Sequence, residues 1–247
     1  MEGNMDNQTI AIITARGGSK RIPKKNIKDF CGKPILAYSI DAALKSGLFD
    51  EVMVSTDSED IAQVARQYGA KVPFMRSEKT SDDYATTSDV LMEVLEEYAK
   101  RGKTFKYMAC IYPTAPFVTA EKLIQGMKML KEENTKMIMP VVEFSYPPQR
   151  GYIIREQQLV MKWKENVSKR SQDLEKLYHD CGQFYLYKVD EYMKYRGLVM
   201  DGIVPVIVDE LEVQDIDNET DWKLAEIKYN LMIRSQNGNN KCQMPQD

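Results

Sequence analysis

The chain has 247 residues, 43% of them hydrophobic, with 34 Lys+Arg against 37 Asp+Glu and a formal net charge of −3. That is enough apolar material for one large core or two modest ones, and the acidic balance argues against a globally basic nucleic-acid binder. No apolar run approaches the ~18–20 residues that span a bilayer, and the single histidine, His179, excludes His-rich metal sites and disfavours a Ser-His-Asp triad. The segment from Met1 to Thr9 is polar and acidic, unlike a signal peptide. Cys31, Cys110, Cys181 and Cys242 form no C-x-x-C pair. Both features lead to the expectation of a cytoplasmic protein with reduced thiols. Chemistry then falls to carboxylates, Lys/Arg, backbone amides or a metal held by oxygen ligands.

Residues 10–15, Ile-Ala-Ile-Ile-Thr-Ala, read as a strand buried on both faces. A Gly/Lys/Arg-rich loop runs from Arg16 to Lys28. Helical periodicity begins after Pro34 and ends at Gly47, a C′ glycine. Val52 to Val54 is a strand, and Ser55 to Ser58 can cap a helix that stops at Gly69. Val72-Pro73-Phe74-Met75 reads as a third strand. Helices over 87–100 and 120–133 alternate with strands over 105–112 and 136–144. Parallel strands joined by helical crossovers make a doubly wound α/β sheet. Residues 145–178 break this pattern and read as a hairpin or small lobe away from the sheet. Cys181 to Tyr187 returns as a strand, and Val204 to Val208 is another, with Pro205 marking its start or a sheet edge. A last helix covers 219–234, and 235–247 reads as a disordered tail.

Four constellations carry chemistry. From Arg16 to Lys28 there are six cations and no acid, interleaved with Gly17, Gly18 and Ser19. The loop follows the first strand, at the carboxyl edge where open α/β sheets bind ligands. Glycines let backbone N–H groups approach an anion, and Lys and Arg add full charges. A polyphosphate suits such a loop; a solvated basic loop or a protein–protein patch is the blander alternative. It is neither a Walker A loop nor a dinucleotide fingerprint. Asp209 to Asp221 is acidic, and Asp215-Ile216-Asp217 puts two carboxylates on one side of an extended strand end. Paired hard oxygens suit Mg²⁺, whereas Glu219 and Asp221 read as acids at a helix N-terminus. The polar loop from Arg76 to Thr87 follows the third expected strand. Arg76 can donate to the adjacent O2 and N3 acceptors of cytosine, where uracil presents an N–H; Thr86-Thr87 also fits plain N-capping. Finally, His179 beside Asp180 offers a general base or a structural residue, and Arg170 offers a carboxylate partner or a surface charge.

The run Ile13-Thr14-Ala15-Arg16-Gly17-Gly18-Ser19-Lys20-Arg21-Ile22-Pro23, followed by Lys25-Asn26, resembles the signature of the acylneuraminate cytidylyltransferase (CMP-sialic acid synthetase) family. Val54-Ser55-Thr56-Asp57, Tyr112-Pro113-Thr114-Ala115-Pro116 and Asp215-Ile216-Asp217 agree in order, and the likeness covers about residues 10–230. Tyr178-His179-Asp180, Gly182-Gln183-Phe184-Tyr185 and Cys110 to Phe117 most resemble the pseudaminic acid branch; the sialic acid branch usually has Gln where Tyr112 stands.

The resemblance implies a Rossmann-like three-layer αβα nucleotidyltransferase fold over 1–234, with 145–178 as a dimerisation lobe of a homodimer. It implies CTP and a nine-carbon 2-keto sugar acid as substrates, CMP-sugar and pyrophosphate as products, and Mg²⁺ as cofactor. Ala15, Arg16, Gly17, Gly18, Ser19, Lys20, Lys25, Asn26, Arg76, Ala85 and Thr87 are then CTP-binding, with Arg16, Lys25 and Asp217 catalytic. Asp215 and Asp217 hold the metal, and Tyr112, Arg170, Gln183, Phe184 and Tyr185 meet the sugar. N-acetylneuraminic or legionaminic acid as acceptor, or a non-catalytic nucleotide-binding regulatory protein, are the alternatives.

Overall fold

The computed structural model describes residues 8–239. β1 (Thr9–Thr14) sends Ala11 and Ile13 to one face of the sheet and Ile10 and Ile12 to the other, all fully buried. Burial on both faces is why the sequence shows an unbroken apolar run there. After the 16–28 loop, β2 (Asp29–Phe30) and β3 (Lys33–Pro34) form a small ladder. α1 (Ile35–Ser46) ends on Gly47, left-handed at φ 62°. There follow β4 (Glu51–Ser55), α2 (Glu59–Gln67), α3 (Thr87–Lys100), β5 (Tyr107–Ile111), α4 (Ala120–Leu130) and β6 (Met137–Glu143). β7 (Tyr152–Arg155) and β8 (Gln158–Met161) make a separate hairpin. β9 (Tyr178–Asp180), β10 (Phe184–Lys188), α5 (Val189–Lys194), β11 (Ile203–Ile207) and α6 (Glu219–Asn239) complete the order.

Among the described residues the main sheet runs β11-β6-β10-β5-β1-β4, with β9 also on β6. β1 is parallel to β4 and β5, and β11 to β6, while β10 runs antiparallel between β5 and β6. β9 and β10 take successive stretches of the same side of β6, separated by a kink at Gly182 with φ 59°. The parallel strands therefore end at one edge, and the antiparallel β10 begins there.

α1, α2 and α4 cover one face through Leu36, Ile40, Ile61, Ala65, Leu123 and Met127. α3 and α5 cover the other through Leu91, Val94, Tyr98 and Tyr192. This is a three-layer αβα arrangement. α6 adds a separate aromatic cluster in which Trp222 and Tyr229 meet Phe30 edge-on at 5.6 Å.

Several expectations need correction. Val72 to Met75 is not a strand: only Lys71 bridges β4, and Pro73, which has no N–H, interrupts further pairing. The chain rejoins the sheet at Tyr178 rather than Cys181. Asp215 and Asp217 lie in an irregular segment, not a strand. Ser58 stands at the N-cap of α2 without a side-chain bond to it. α4 stops three residues short of the expected 133, and α6 runs on to Asn239, so 235–239 are helical rather than disordered. The remainder of that expected tail, 240–247, and the start of the N-terminal segment, 1–7, lie outside the described residues. Pro205 lies within β11, at the sheet edge.

Gly126 on α4 lets the helix sit close to the sheet: a Cβ there would lie 2.8 Å from Leu186 Cδ1 and 3.3 Å from Ile138 Cγ2. Gly126→Ala gains about 1 kcal/mol of helix propensity but overpacks a filled layer. The expected net effect is a loss of ~1 kcal/mol or more in urea unfolding. A raised midpoint would show that α4 moves aside without cost.

Candidate active site

The loop after β1 wraps over the carboxyl edge of the sheet. Asn26, buried, donates from Nδ2 to the Arg16 carbonyl at 2.8 Å and closes the loop on itself. The Gly17 N–H donates to Asp57 Oδ1 at 2.7 Å, and a Cβ on Gly17 would meet Ser58 Cβ at 3.0 Å. Glycine at 17 thus permits contact with the end of β4, and Asp57 serves as the loop's acceptor instead of capping α2. The Ser19 N–H donates to the Gly17 carbonyl at 2.9 Å. The amides of Gly17 and Ser19 are therefore engaged within the protein, while Gly18 is exposed with open space around it.

Acids from elsewhere meet the loop's cations. Arg16 Nη1 donates to Asp83 Oδ1 at 2.9 Å and to the Asp82 carbonyl at 3.2 Å, and Lys20 pairs with the other Asp83 oxygen. Those contacts hold the Asp83 carboxyl below the usual range, Lys20 contributing most. Arg21 Nη2 meets Asp217 Oδ1 at 2.7 Å, Lys25 Nζ donates to the Ile216 carbonyl at 2.7 Å, and Lys28 grips Glu219 at 2.8 Å. Arg16, Ser19, Lys20, Lys25, Asn26 and Asp217 line one cavity of about 350 Å³.

A second cavity of about 330 Å³ shares Thr14, Arg16, Pro113 and Thr114 with the first. It is lined by Arg76, Thr80, Ala85, Thr87 and Tyr112. Arg76 is 8% exposed, and its Nε and Nη2 donate to Ser55 Oγ at 3.1 Å and to the Ser55 carbonyl at 2.7 Å. Burial lowers its pKa to about 10 despite nearby Asp57 and Glu93, leaving it a cation at neutral pH. Thr86 caps α3 in a reciprocal capping box with Asp89, which sets Thr87 at the cavity mouth. Two adjoining cavities, one rich in cations and one with a fixed guanidinium, suit an extended anion bearing a polar ring.

A family model described as cytidylyltransferase matches residues 10–205. The chain belongs to the cytidylyltransferase family. It is 40% identical over 223 residues to the pseudaminic acid cytidylyltransferase of Campylobacter jejuni, covering 90% of this chain and 96% of that one. It is 32% identical to the CMP-N,N'-diacetyllegionaminic acid synthase of Legionella pneumophila, covering 88% of this chain and 94% of that one. Among solved structures, CMP:2-keto-3-deoxy-manno-octonic acid synthetase complexed with CTP superposes with a TM-score of 0.65 at 17% identity, covering 93% of this chain and all of that one. That last likeness speaks for the nucleotidyltransferase fold.

The other expected site residues of this cytidylyltransferase are divided among several places. Ala15 is fully buried, and its N–H continues the β1 ladder to the Ser55 carbonyl at 2.9 Å. Asn26 lines the cationic cavity, whereas Tyr112, expected at the sugar, lines the Arg76 cavity. Tyr112 and Tyr185 meet edge-on at 5.7 Å, and Tyr185 donates to Asp180 Oδ2 at 2.6 Å. Gln183 is 2% exposed, with Nε2 on the Glu212 carbonyl at 2.6 Å and Oε1 without a partner. Phe184, expected at the sugar, has its side chain fully buried in the α4-side core and lines neither cavity. Arg170 is exposed on the 145–178 excursion and lines neither cavity. Asp215 faces a separate groove with His179, Asp180, Glu210 and Lys228. The pairing of Asp83 with Arg16 and Lys20, of Arg21 with Asp217 and of Asp57 with the Gly17 amide joins residues far apart in the chain, and no local pattern signals it.

Lys25 carries a testable consequence. Burial disfavours its charge and outweighs the attraction of Asp217 and Asp215, so its pKa lies below that of an ordinary lysine. Turnover is expected to fall on the alkaline side as Lys25 loses its proton, at lower pH than an exposed lysine would. Lys25→Arg, which stays protonated, is expected to move that limb upward in a pH–rate profile. A limb that stays in place would assign the titration to another group.

Proposed function

We propose that this chain transfers CMP from CTP to the anomeric hydroxyl of a nonulosonic acid, pseudaminic acid, and releases pyrophosphate. The observation that carries the nucleotide half is the junction of the two cavities at Arg16. A nucleotide laid across them puts its phosphates among Arg16, Lys20 and Lys25 and its base beside Arg76, with Ala85 and Thr87 at the nucleoside. The acceptor half rests on the 40% identity to the Campylobacter jejuni enzyme over nearly its whole length. In this reading the anomeric oxygen attacks the α-phosphorus in line, the bond to the β-phosphate breaks, and the hydroxyl proton is released. The loop's cations offset charge on the departing pyrophosphate, and positioning supplies most of the remaining rate.

Mg²⁺ fits the donor set. Asp217 presents hard oxygens to the cationic cavity. Among the described residues no group of three or more potential ligands gathers, so such an ion would be held by one or two carboxylates together with substrate phosphates. Asp217 would hold it, with Asp215 adding negative charge nearby. When bound, it supplies Lewis-acid stabilisation at the α-phosphate and lowers the pKa of the attacking hydroxyl. Arg21, now on Asp217, is the group that would have to yield.

A homodimer is supported by the excursion's apolar surface, where Ile154 is 76%, Leu159 71% and Val167 66% exposed. Ile154 and Leu159 pair across the hairpin, and exposed apolar side chains grouped in that way mark an interaction face. A second copy lying there would also carry Arg170 to a neighbouring site, where a sugar carboxylate suits it. A substrate such as CTP favours the cytoplasm as the setting of the reaction. No helix among the described residues is long and apolar enough to cross a membrane.

The deciding experiment is pyrophosphate release with CTP and Mg²⁺ against pseudaminic, legionaminic, N-acetylneuraminic and 3-deoxy-manno-octulosonic acids. Release with pseudaminic acid, abolished by EDTA and lowered about 100-fold in Asp217→Asn, is expected. Release with another acid alone would reassign the acceptor, and CTP binding without turnover on any acid would make this a binding protein. Sedimentation at micromolar concentration is expected to show a dimer that Ile154→Asp with Leu159→Asp converts to monomers; a monomeric wild-type chain would remove the lobe's role.

A further inference from the structure

Glu93 lies on α3, four residues beyond the capping Asp89, and no role above uses it. Its carboxylate accepts the Ser77 N–H at 2.9 Å, the Ser77 hydroxyl at 2.6 Å and the Thr80 hydroxyl at 2.7 Å. Burial opposes its charge, but these bonds outweigh burial and hold the carboxyl below the usual range, with Arg76 adding attraction. Thr80 is 5% exposed and forms part of the wall of the Arg76 cavity. Glu93 stands behind that wall, in a groove on its outer side with Met75, Ser77, Met92 and Glu96.

The segment after Arg76 is held at its far end by the cation loop, where Arg16 reaches the Asp82 carbonyl and the Asp83 carboxylate, and Lys20 also reaches Asp83. The Arg76 N–H is tied to the Thr56 carbonyl at 2.8 Å, which fixes where the segment starts. Beyond it the chain has a single 3₁₀ turn, Glu78–Thr80, before α3 begins. Charge-assisted bonds from one carboxylate therefore anchor both ends of that turn to a rigid helix. Arg76 has five N–H donors, of which Nε and Nη2 are engaged with Ser55. The others are available to a guest only if the backbone at 76–80 keeps its place.

We propose that Glu93 is a positioning residue for base recognition: from behind the wall it fixes Ser77 and Thr80, and through them the placement of the Arg76 guanidinium in the nucleoside cavity. This rests on the assignment of that cavity to the nucleotide. Such a residue governs how well the ring is held and told apart, while leaving the phosphate chemistry at Lys25 and Asp217 in place.

The test compares Glu93→Ala, Glu93→Gln and the neighbouring exposed Glu96→Gln. Wild-type protein is first titrated with CTP alone by calorimetry; failure to bind would overturn the nucleotide reading, and this inference with it. With wild-type binding present, Glu93→Ala is expected to raise KM for CTP about tenfold and to narrow the preference for CTP over UTP. kcat and KM for the sugar acid are expected to stay within about threefold. Glu93→Gln, which keeps an acceptor and loses the charge, is expected to fall between, and Glu96→Gln to match wild type. A CTP affinity and CTP/UTP preference within twofold of wild type in Glu93→Ala would overturn the inference, even if the variant melts at lower temperature. If Glu93→Ala does not fold, Glu93→Gln is judged by the same two readouts: a raised KM with narrowed preference supports the role, and unchanged values overturn it.

Discussion

Six like charges on the thirteen residues from Arg16 to Lys28 repel one another, and the site depends on acids brought to them from distant parts of the chain. Asp83 comes from the segment before α3, Asp60 from α2, Asp217 from the segment just before α6 and Glu219 from its first residue. Each pair is largely exposed and individually weak. Their joint effect is geometric, because one loop thereby ties three separate elements to the carboxyl edge of the sheet. Lys28 shows the point on a small scale: its ammonium bonds Glu219 and lies 4.6 Å from the Trp222 ring, so loop and helix are docked by one side chain. An anion entering the cationic cavity exchanges with Asp83 for Arg16 and Lys20 rather than meeting bare charges.

The second organising element is α3. Its N-terminus is fixed by the Thr86–Asp89 capping box, its buried face packs against the sheet, and its outward carboxylate at Glu93 bonds the Ser77–Thr80 wall. Asp57 plays a similar part at the end of β4, where it receives the Gly17 amide, while Ser55 receives Arg76. Groups lining the two cavities thus rest on or near the ends of regular elements.

The α/β alternation was readable because periodicity and punctuation are local properties. β1, α1 and its closing Gly47, the capping of α3 and the edge placement of Pro205 all follow from residues close in sequence. Phe184 was not readable from its motif, because a motif names neighbours without saying which way they point. Along β10, Phe184 and Leu186 enter one core while Tyr185 and Tyr187 enter the other. Val72 to Met75 misled for a different reason: its apolar content packs, with Phe74 against Tyr98 at 5.4 Å, but Pro73 withholds the N–H that a ladder needs. The partners of Arg21 and Arg16 stand 196 and 67 residues away. No local pattern announces such a pair, so Asp83 stood unassigned among the polar residues of its loop.

The stretch between Glu143 and Gly182 leaves β6 and returns alongside it, at the same edge from which it departed. Its exit and re-entry are held by the sheet itself: the Phe144 N–H bonds the Leu177 carbonyl, and the Cys181 N–H bonds the Pro140 carbonyl. The closure cost of such a stretch grows only slowly with its length. The hairpin can therefore be lengthened, trimmed or exchanged as one contiguous module while the strand register, the cation loop and the Arg76 cavity stay as they are. In an architecture of this kind the part that lines the two cavities and the part that reaches outward can diverge at different rates within one chain.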